Sequence, residues 1–182
     1  KMVNCNLYSL TQNCIYTTRS DSDSNPIDMT ASFENCTFTN SNENSMALNI
    51  RTTKNVSFRN CNFTAKSNLI LAKNASMDGC TVSSNDENGG LRVNCDIFTF
   101  ENGYINNNAG NNAFLIENKT GRITINNAYS ETNAKTIRGI TETIASISNT
   151  NLTYEFNEND ATSVFAVNTT PGSAPSPQAF TI

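Results

Sequence analysis

Two carboxylates 23 positions apart, Asp78 and Glu101, form the best candidate acid–base pair in the chain. Each directly precedes the central residue of a short recurring motif, so a chain that coils with this motif would stack them one coil apart. Glycoside hydrolysis uses two carboxyl groups about 5–9.5 Å apart. The same position reads Glu34 and Arg59 in earlier copies of the motif. Because Arg59 stands between two acids, we favour a solvated, charge-balanced ladder over a catalytic pair.

Further acidic side chains lie in polar stretches that are typical of loops. These candidates for contacting a ligand are Asp21, Asp23, Glu43, Asp86 and Glu87. Ca²⁺ binds carboxylate oxygens, but the spacing of these acids resembles no calcium loop, and solvated turns are the preferred interpretation. We therefore expect no metal site and no cofactor.

Three arginines and three tyrosines are the remaining side chains with chemical potential. Arg51, Arg92 and Arg138 lie in apolar stretches, and no acidic residue is expected to line up beside them. The tyrosines could stack on sugar rings, although packing in the core or at an edge is the interpretation we prefer; they are Tyr16, Tyr104 and Tyr129. The chain contains no His, which excludes Ser-His and Cys-His catalysis and His-ligated zinc.

The composition argues against two classes of partner. The 182 residues are 37% hydrophobic and 15% charged, and they include 32 Asn, 18 Ser and 23 Thr. A net charge of −4 and a pI near 4.8 argue against nucleic-acid binding, which needs clustered Lys and Arg. No apolar run approaches the roughly 18 residues that span a bilayer, so we expect no membrane insertion.

These side chains are carried by a repeat. The motif apolar–any–Asn–small–any–apolar starts at positions 2, 33, 58, 77, 100, 125 and 147, with steps of 19 to 31 residues. Short alternating apolar stretches lie around each copy, as in Val56-Ser57-Phe58 and Leu69-Ile70-Leu71, and none has helical spacing. This pattern predicts an all-β chain in which each repeat supplies three short strands to one coil of a parallel β-helix.

The central residue of the motif is predicted to form a left-handed corner between two strands. Asn tolerates this backbone better than most residues, and Gly adopts it freely. The corner ladder consists of Asn4, Asn35, Asn60, Gly79, Asn102, Asn127 and Asn149. The next position is always small and is Cys in four copies, so we favour free buried thiols over disulfides.

Repeated Phe-x-Asn-Cys-x-Phe coils resemble the right-handed parallel β-helix of the pectate-lyase-like superfamily. The resemblance implies a single-stranded solenoid of about seven to eight coils over residues 1–167, followed by a Pro/Ser/Thr-rich linker or tail at 168–182. That superfamily includes polysaccharide lyases and hydrolases, phage tailspikes, autotransporter adhesins and inert shafts, so the fold alone does not determine the activity.

Two functional interpretations follow. We favour a structural or receptor-binding segment of a viral tail spike or fibre, or of a cell-surface attachment appendage, that presents loops to a host glycan or protein. The alternative is part of a polysaccharide lyase or glycoside hydrolase β-helix. An ice-binding protein is a weaker third option, because it would need a cleanly repeating Thr ladder.

The favoured interpretation implies partners and a location. Resemblance to slender viral β-helices implies a homotrimer that contacts other appendage proteins. Free thiols fit a protein that folds in a reducing cytosol before display on a virion or an extracellular surface.

Overall fold

The computed structural model describes residues 1–17, 27–117, 121–139, 144–155, 165–166 and 179–180. Within these residues all regular structure is β-strand, and no helix is present that could cross a membrane. The strands are β1 (Met2–Val3), β2 (Asn6–Ser9), β3 (Ile15–Thr17), β4 (Ile27–Glu34), β5 (Thr37–Asn40), β6 (Met46–Arg59), β7 (Asn62–Thr64), β8 (Ser67–Asp78), β9 (Thr81–Ser84), β10 (Leu91–Asn107), β11 (Asn112–Ile116), β12 (Arg122–Tyr129), β13 (Thr136–Gly139), β14 (Ile144–Ser148), β15 (Thr153–Glu155), β16 (Phe165–Ala166) and β17 (Ala179–Phe180).

Parallel pairing of equivalent segments from successive coils builds three faces. Sheet A contains β1, β4, the second halves of β6 and β8, the middle of β10, β12 and β14. Sheet B follows the corner and contains β2, β5, β7, β9 and the end of β10. Sheet C contains β3, the first parts of β6, β8 and β10, and then β11, β13 and β15. The long strands bend from sheet C into sheet A, and in the pairing of β6 with β8 the register shifts near this bend, between Arg51 and Thr53.

The all-β parallel solenoid predicted from the repeat is thus the observed fold, with a smaller coil count. Seven corners from Asn4 to Asn149 enclose six steps, and no parallel strand follows β15 among the described residues. The described chain therefore forms fewer complete coils than the seven to eight predicted. β16 and β17 pair with each other in antiparallel register. The proposed linker at 168–182 lies outside the described residues except for 179–180, and its boundary stays a prediction.

The paired apolar residues of the motif build the core on either side of the corner. Within one coil Phe58 and Phe63 meet edge to face, with ring centroids 5.1 Å apart. Between coils Phe33 stacks on Phe58 at 5.0 Å and Phe38 stacks on Phe63 at 5.2 Å. Aromatic pairs in these geometries add about 0.5–1.5 kcal/mol each to the stability from apolar burial. The apolar positions of the motif therefore repeat because each core side chain packs on an apolar side chain at the same position in the next coil.

The corner is left-handed at every position predicted from the sequence. The six Asn residues have φ between 48° and 55°, and Gly79 has φ 64°. Side-chain amides bond along the column: Asn35 Nδ2 donates to Asn4 Oδ1 at 3.2 Å, and Asn60 Nδ2 donates to Asn35 Oδ1 at 3.3 Å. The column changes at Gly79, where an added Cβ would lie 2.3 Å from Asn60 Oδ1. Glycine at this corner thus leaves room for the Asn60 amide.

Four stacked thiols occupy the small position after the corner. Cys5, Cys36, Cys61 and Cys80 each donate Sγ–H to the carbonyl two residues earlier, at 3.2–3.5 Å. All six cysteines are free. In the next coil a Cβ on Gly103 would lie 2.3 Å from the Cys80 carbonyl oxygen, which explains why this copy has glycine. The position requires small residues because it faces the crowded inside of the corner.

Two of the buried thiols have raised pKa values. Contact with the Cys61 thiol and burial both raise the pKa of Cys80. Burial raises the pKa of Cys95, which lies in sheet C, from 9.0 to about 12. Because the thiolate is the nucleophile, these thiols are held in the unreactive form at neutral pH.

Candidate binding site

The shortest turn between sheets B and C opens a cleft on one corner of the rod. Between β7 and β8 the turn has only the two residues Ala65 and Lys66, whereas the coils on either side carry loops 41–45 and 85–90. The short turn lies recessed between the two longer loops and leaves a cavity of about 710 Å³. Its lining residues are Asn40, Ser41, Asn42, Glu43, Thr64, Ala65, Lys66, Asn85, Asp86, Glu87, Asn88 and Ala109.

A buried asparagine holds the first loop of the cleft. Asn40 Nδ2 donates to the carbonyls of Gln12 at 2.7 Å and Met46 at 3.0 Å, and Asn40 Oδ1 accepts the Asn42 N–H at 2.8 Å. These bonds satisfy polar groups that the strand end would otherwise bury without partners. Asn40 therefore ties loop 41–45 to the rod, and Asn42 Nδ2 and Ser45 Oγ add bonds to the carbonyl of Thr11 in the preceding coil.

Asn107 holds the second loop in the same way, and its side chain is only 1% exposed. Its Nδ2 donates to the carbonyls of Asp86 at 2.7 Å and Asn112 at 2.9 Å. Its Oδ1 accepts the N–H groups of Asp86 at 3.1 Å and Ala109 at 3.2 Å. One amide thus joins loop 85–90 to the next coil, and both walls of the cleft are pre-organised.

Three of the five acids predicted to contact a ligand line this cleft. They are Glu43 on the first loop and Asp86 and Glu87 on the second. The carboxylate of Asp86 also accepts the Asn88 N–H at 2.9 Å, which orients it within its own loop. The other two candidates, Asp21 and Asp23, lie outside the described residues. Parallel stacking of the coils places Glu43 in the same cleft as Asp86 and Glu87, although more than 40 positions separate Glu43 from these two residues.

The chemistry of the cleft is that of hydrogen bonding. The amides of Asn42, Asn85 and Asn88 supply donors and acceptors, and Lys66 in the floor supplies a cation beside the three carboxylates. Among the described residues no group of three or more His, Cys, Asp or Glu side chains is placed to hold a metal ion. The arrangement fits a polar ligand such as a sugar or the polar surface of a protein.

Asp78 and Glu101 are register partners on the outer face of sheet A. Arg59 is the next register partner of Asp78, and Glu34 follows it, in the order given by the motif. Asp78 Oδ1 accepts Asn102 Nδ2 at 2.8 Å, so this carboxylate takes part in the corner column. The pair is not among the residues that line the cleft.

Two of the three arginines of sheet C, Arg92 and Arg138, have acidic neighbours, contrary to the sequence-based expectation. Arg92 Nε donates to Glu117 Oε1 at 2.8 Å, and the two side chains are 34% and 20% exposed. Arg138 is a register partner of Glu155. Glu117 directly follows β11, and the pairing of β10 with β11 brings it close to Arg92. This register depends on the length of the intervening loop, so the spacing of the two residues in the sequence did not indicate the pair. Arg51 Nε donates instead to Asn49 Oδ1 at 3.0 Å.

The three candidate tyrosines lie on the surface, so packing in the core, one of the two arrangements preferred from the sequence, is wrong. Tyr16 is 56% exposed on sheet C, and it lines a second cavity of about 520 Å³ together with Arg51. Tyr104 and Tyr129 are exposed on the outer side of the corner that leads into sheet B. Their direction follows from strand alternation, because the apolar residues next to them point inward.

A column of hydroxyl side chains on sheet A is not among the sequence-based candidates. Parallel register aligns Ser32, Ser57, Ser76, Thr99, Thr124 and Ser146 on its outer face. The signal was present, since each of these residues directly precedes the first apolar residue of a motif copy. Only two of the six are Thr, so the column is not the uniform Thr ladder that ice binding would require.

Comparison with known proteins bears on the fold. A family model described as "Right handed beta helix region" matches residues 1–165 of the chain. No curated protein and no solved structure matches it.

Proposed function

Because the chain belongs to the right-handed β-helix family, we propose that it is a rigid rod segment of an attachment appendage whose loop-side cleft contacts a host glycan or protein. The observation that carries this proposal is the pre-organised cleft between loops 41–45 and 85–90. Attachment needs a fixed, polar recess on a stiff support, and both walls of this cleft are tied to the rod by buried amides.

The appendage is a viral tail spike or fibre or a cell-surface adhesin, and the rod assembles as a homotrimer with other appendage proteins. The trimer is supported by the resemblance to slender viral β-helices. Six free cysteines support folding in a reducing cytosol before display on a virion or cell surface. Sedimentation equilibrium of the purified chain tests the trimer directly.

The cleft is tested with a double variant that keeps its shape. Asp86→Asn with Glu87→Gln removes two charges while Asn retains the oxygen that accepts the Asn88 N–H. Wild-type and variant chains are applied to an array of immobilised polysaccharides and cell-surface glycoproteins. We expect the variant to lose about tenfold in affinity for whichever surface component binds the wild type.

Asp96→Asn is the matched control, because it removes a charge from the bend between sheets C and A, away from the cleft. It should bind as the wild type does. Equal binding by the cleft variant and the control, with both folded, would exclude the cleft as the attachment site.

A polysaccharide-degrading enzyme is the second candidate, favoured by the register pairing of Asp78 and Glu101. Asp78→Asn with Glu101→Gln keeps the shape and removes both carboxylates. An attachment rod should keep its stability and ligand binding in this variant. Loss of product release from a polysaccharide, measured as new reducing ends, without unfolding would support the enzyme and contradict the attachment proposal.

A further inference from the structure

Tyr104 and Tyr129 form an exposed aromatic pair. They are register partners in successive coils, with ring centroids 6.3 Å apart and ring planes inclined by 43°. Their exposed fractions are 44% and 37%. Among the large apolar side chains that the described residues expose, these two are the ones that adjoin each other in register. Within the part of the chain that the structure describes, Tyr104 and Tyr129 thus form an exposed aromatic platform, whereas the other exposed large apolar side chains have no such partner in the next coil.

A polar pair adjoins the platform on the same side. Asn106 lies two residues after Tyr104, and Glu131 lies two residues after Tyr129. Asn106 Nδ2 donates to Glu131 Oε2 at 3.3 Å, and the Glu131 N–H donates to Asn106 Oδ1 at 2.9 Å. A carboxylate has about four acceptor sites, so Glu131 keeps acceptor capacity for a ligand. The site thus combines two exposed aromatic rings with oriented hydrogen-bonding groups.

The charge of this surface selects among ligands. The outward positions of sheet B, and the aligned positions of the next coil, carry Asn, Thr, Ser and Tyr side chains. They include one acid, Glu131, and no Lys or Arg. These positions are Asn6, Tyr8, Thr37, Thr39, Asn62, Thr64, Thr81, Ser83, Tyr104, Asn106, Tyr129 and Glu131. An anionic glycan would need cations here, and Glu131 would repel it. A neutral glycan needs none.

The spacing also fits a sugar chain. Successive coils rise by about 4.8 Å, which is close to the length of one sugar unit in an extended glycan. A chain running along the rod would place one sugar ring against each tyrosine. Sugar rings have apolar C–H faces that pack on aromatic rings, and their hydroxyls bond to amides and carboxylates.

We propose that Tyr104 and Tyr129, with Asn106 and Glu131 beside them, bind a neutral glycan that lies along sheet B. This inference rests on the proposed attachment function and names a ligand class for it. Thr64 belongs to the outer face of sheet B and also lines the cleft, so the two sites adjoin on one side of the rod.

Native gels that contain soluble dextran, laminarin, galactomannan or hydroxyethyl cellulose provide the test, with dextran sulfate as the anionic comparison. At least one neutral polysaccharide should retard the wild-type chain, and the retardation should persist at high salt because no ion pair forms. Tyr104→Ala and Tyr129→Ala should each weaken the affinity about tenfold, whereas Phe at either position retains the ring and most of the affinity.

Tyr8→Ala is the matched control. Tyr8 is 64% exposed on the same face but four coils from Tyr104, about 19 Å at the coil spacing. The Tyr8→Ala variant should bind a short oligosaccharide, taken from the polysaccharide that retards the wild type, with the same affinity as the wild type. Because the chain has no Trp, quenching of tyrosine fluorescence reports this binding directly.

Three results would overturn the inference: no retardation of the wild type by any of the four neutral glycans, retardation by dextran sulfate alone, or undiminished affinity in both folded alanine variants. The cleft variant Asp86→Asn with Glu87→Gln runs on the same gels. Binding lost in the cleft variant but kept in the tyrosine variants overturns this inference and leaves the proposed cleft standing. The reverse pattern supports the tyrosine site and excludes the cleft as the binding site for that polysaccharide.

Discussion

The left-handed backbone at each corner places an unusual demand on one residue per coil. A side chain with Cβ strains this conformation, and Asn reduces the penalty with its short polar side chain. Asn35 and Asn60 also use that amide to bond their neighbours in the column. One position thus combines a backbone requirement with a contact between coils, which is why its identity varies so little along the rod.

Substitution at Asn60 separates these two roles. Asn60→Gly keeps the left-handed backbone and should cost little, whereas Asn60→Val, which is β-branched, should lower the free energy of unfolding by about 1–2 kcal/mol. Urea denaturation followed by circular dichroism measures both. Equal losses in the two variants would contradict the assignment of the corner.

The buried Cys95 thiol makes stability fall in alkali. Burial raises the pKa of Cys95 from 9.0 to about 12, so the folded chain keeps a proton that the unfolded chain releases. The contribution of Cys95 to the unfolding free energy should therefore be constant below about pH 8 and decline as the pH rises from about 9 towards 12. Burial also raises the pKa of Tyr154, from 10.0 to about 12, which adds to the decline above pH 10.

Cys95→Ala should flatten this decline when urea denaturation is repeated across the pH range. Val93→Ala is the control, because it removes apolar packing from the same strand without an ionisable group and should leave the slope unchanged. An unaltered slope in Cys95→Ala would show that the Cys95 proton does not contribute to the alkaline decline.

At the scale of strands and turns, the coil could be predicted from the sequence, but the cleft could not. Strand alternation and the left-handed corner are local properties, so the copies at Phe33 and Phe58 predicted them correctly. The loop acids Glu43, Asp86 and Glu87 were predicted, but the recess between their loops was not. It depends on a difference in length between neighbouring turns, which the short step from Phe58 to Met77 indicated only indirectly. The contact of Arg92 with Glu117 was missed because it depends on register across a loop rather than on spacing.

The loop anchors are element-scale features that mutation can test. Asn107→Ala removes four side-chain hydrogen bonds, two with Asp86 in loop 85–90 and two with Ala109 and Asn112 beyond it. It leaves the carbonyls of Asp86 and Asn112 without these donors. We expect a loss of roughly 2–4 kcal/mol in the free energy of unfolding. Amide hydrogen exchange should show faster exchange in that loop. The exposed neighbour Asn108→Ala should change neither quantity, and protection of the loop in Asn107→Ala would contradict the anchoring role.

Over the whole molecule, stability is a sum of coils and the contacts between neighbours, as in other solenoids. The Phe33–Phe58 and Phe38–Phe63 stacks carry this contact on either side of the corner in the first coils. Met77 and Val82 continue the two columns in the next coil. Continuity of the columns matters more than the identity of each residue, so the fold was readable from seven imperfect copies.

Deleting one complete step tests this description. Removal of residues 58–76 joins Ser57 to Met77, so every remaining strand keeps an equivalent partner. The shortened chain should fold with the same β-type circular dichroism spectrum, but it should lose the cleft and cleft-dependent binding because loops 41–45 and 85–90 become neighbours. A deletion of ten residues from the same point shifts the register and should unfold the chain. Failure of both deletions to fold would contradict independent coils.

The recess at the short turn has an evolutionary consequence. In a solenoid each coil contacts only its neighbours, so a whole coil can be added or removed without breaking the contacts within the others. The backbone tolerates this, because any coil can stack on any other. Ligand binding does not tolerate it, because a recess exists only where a short coil lies between two long ones. New binding surfaces can therefore arise by reordering existing coils, without a single point mutation in the residues that line them.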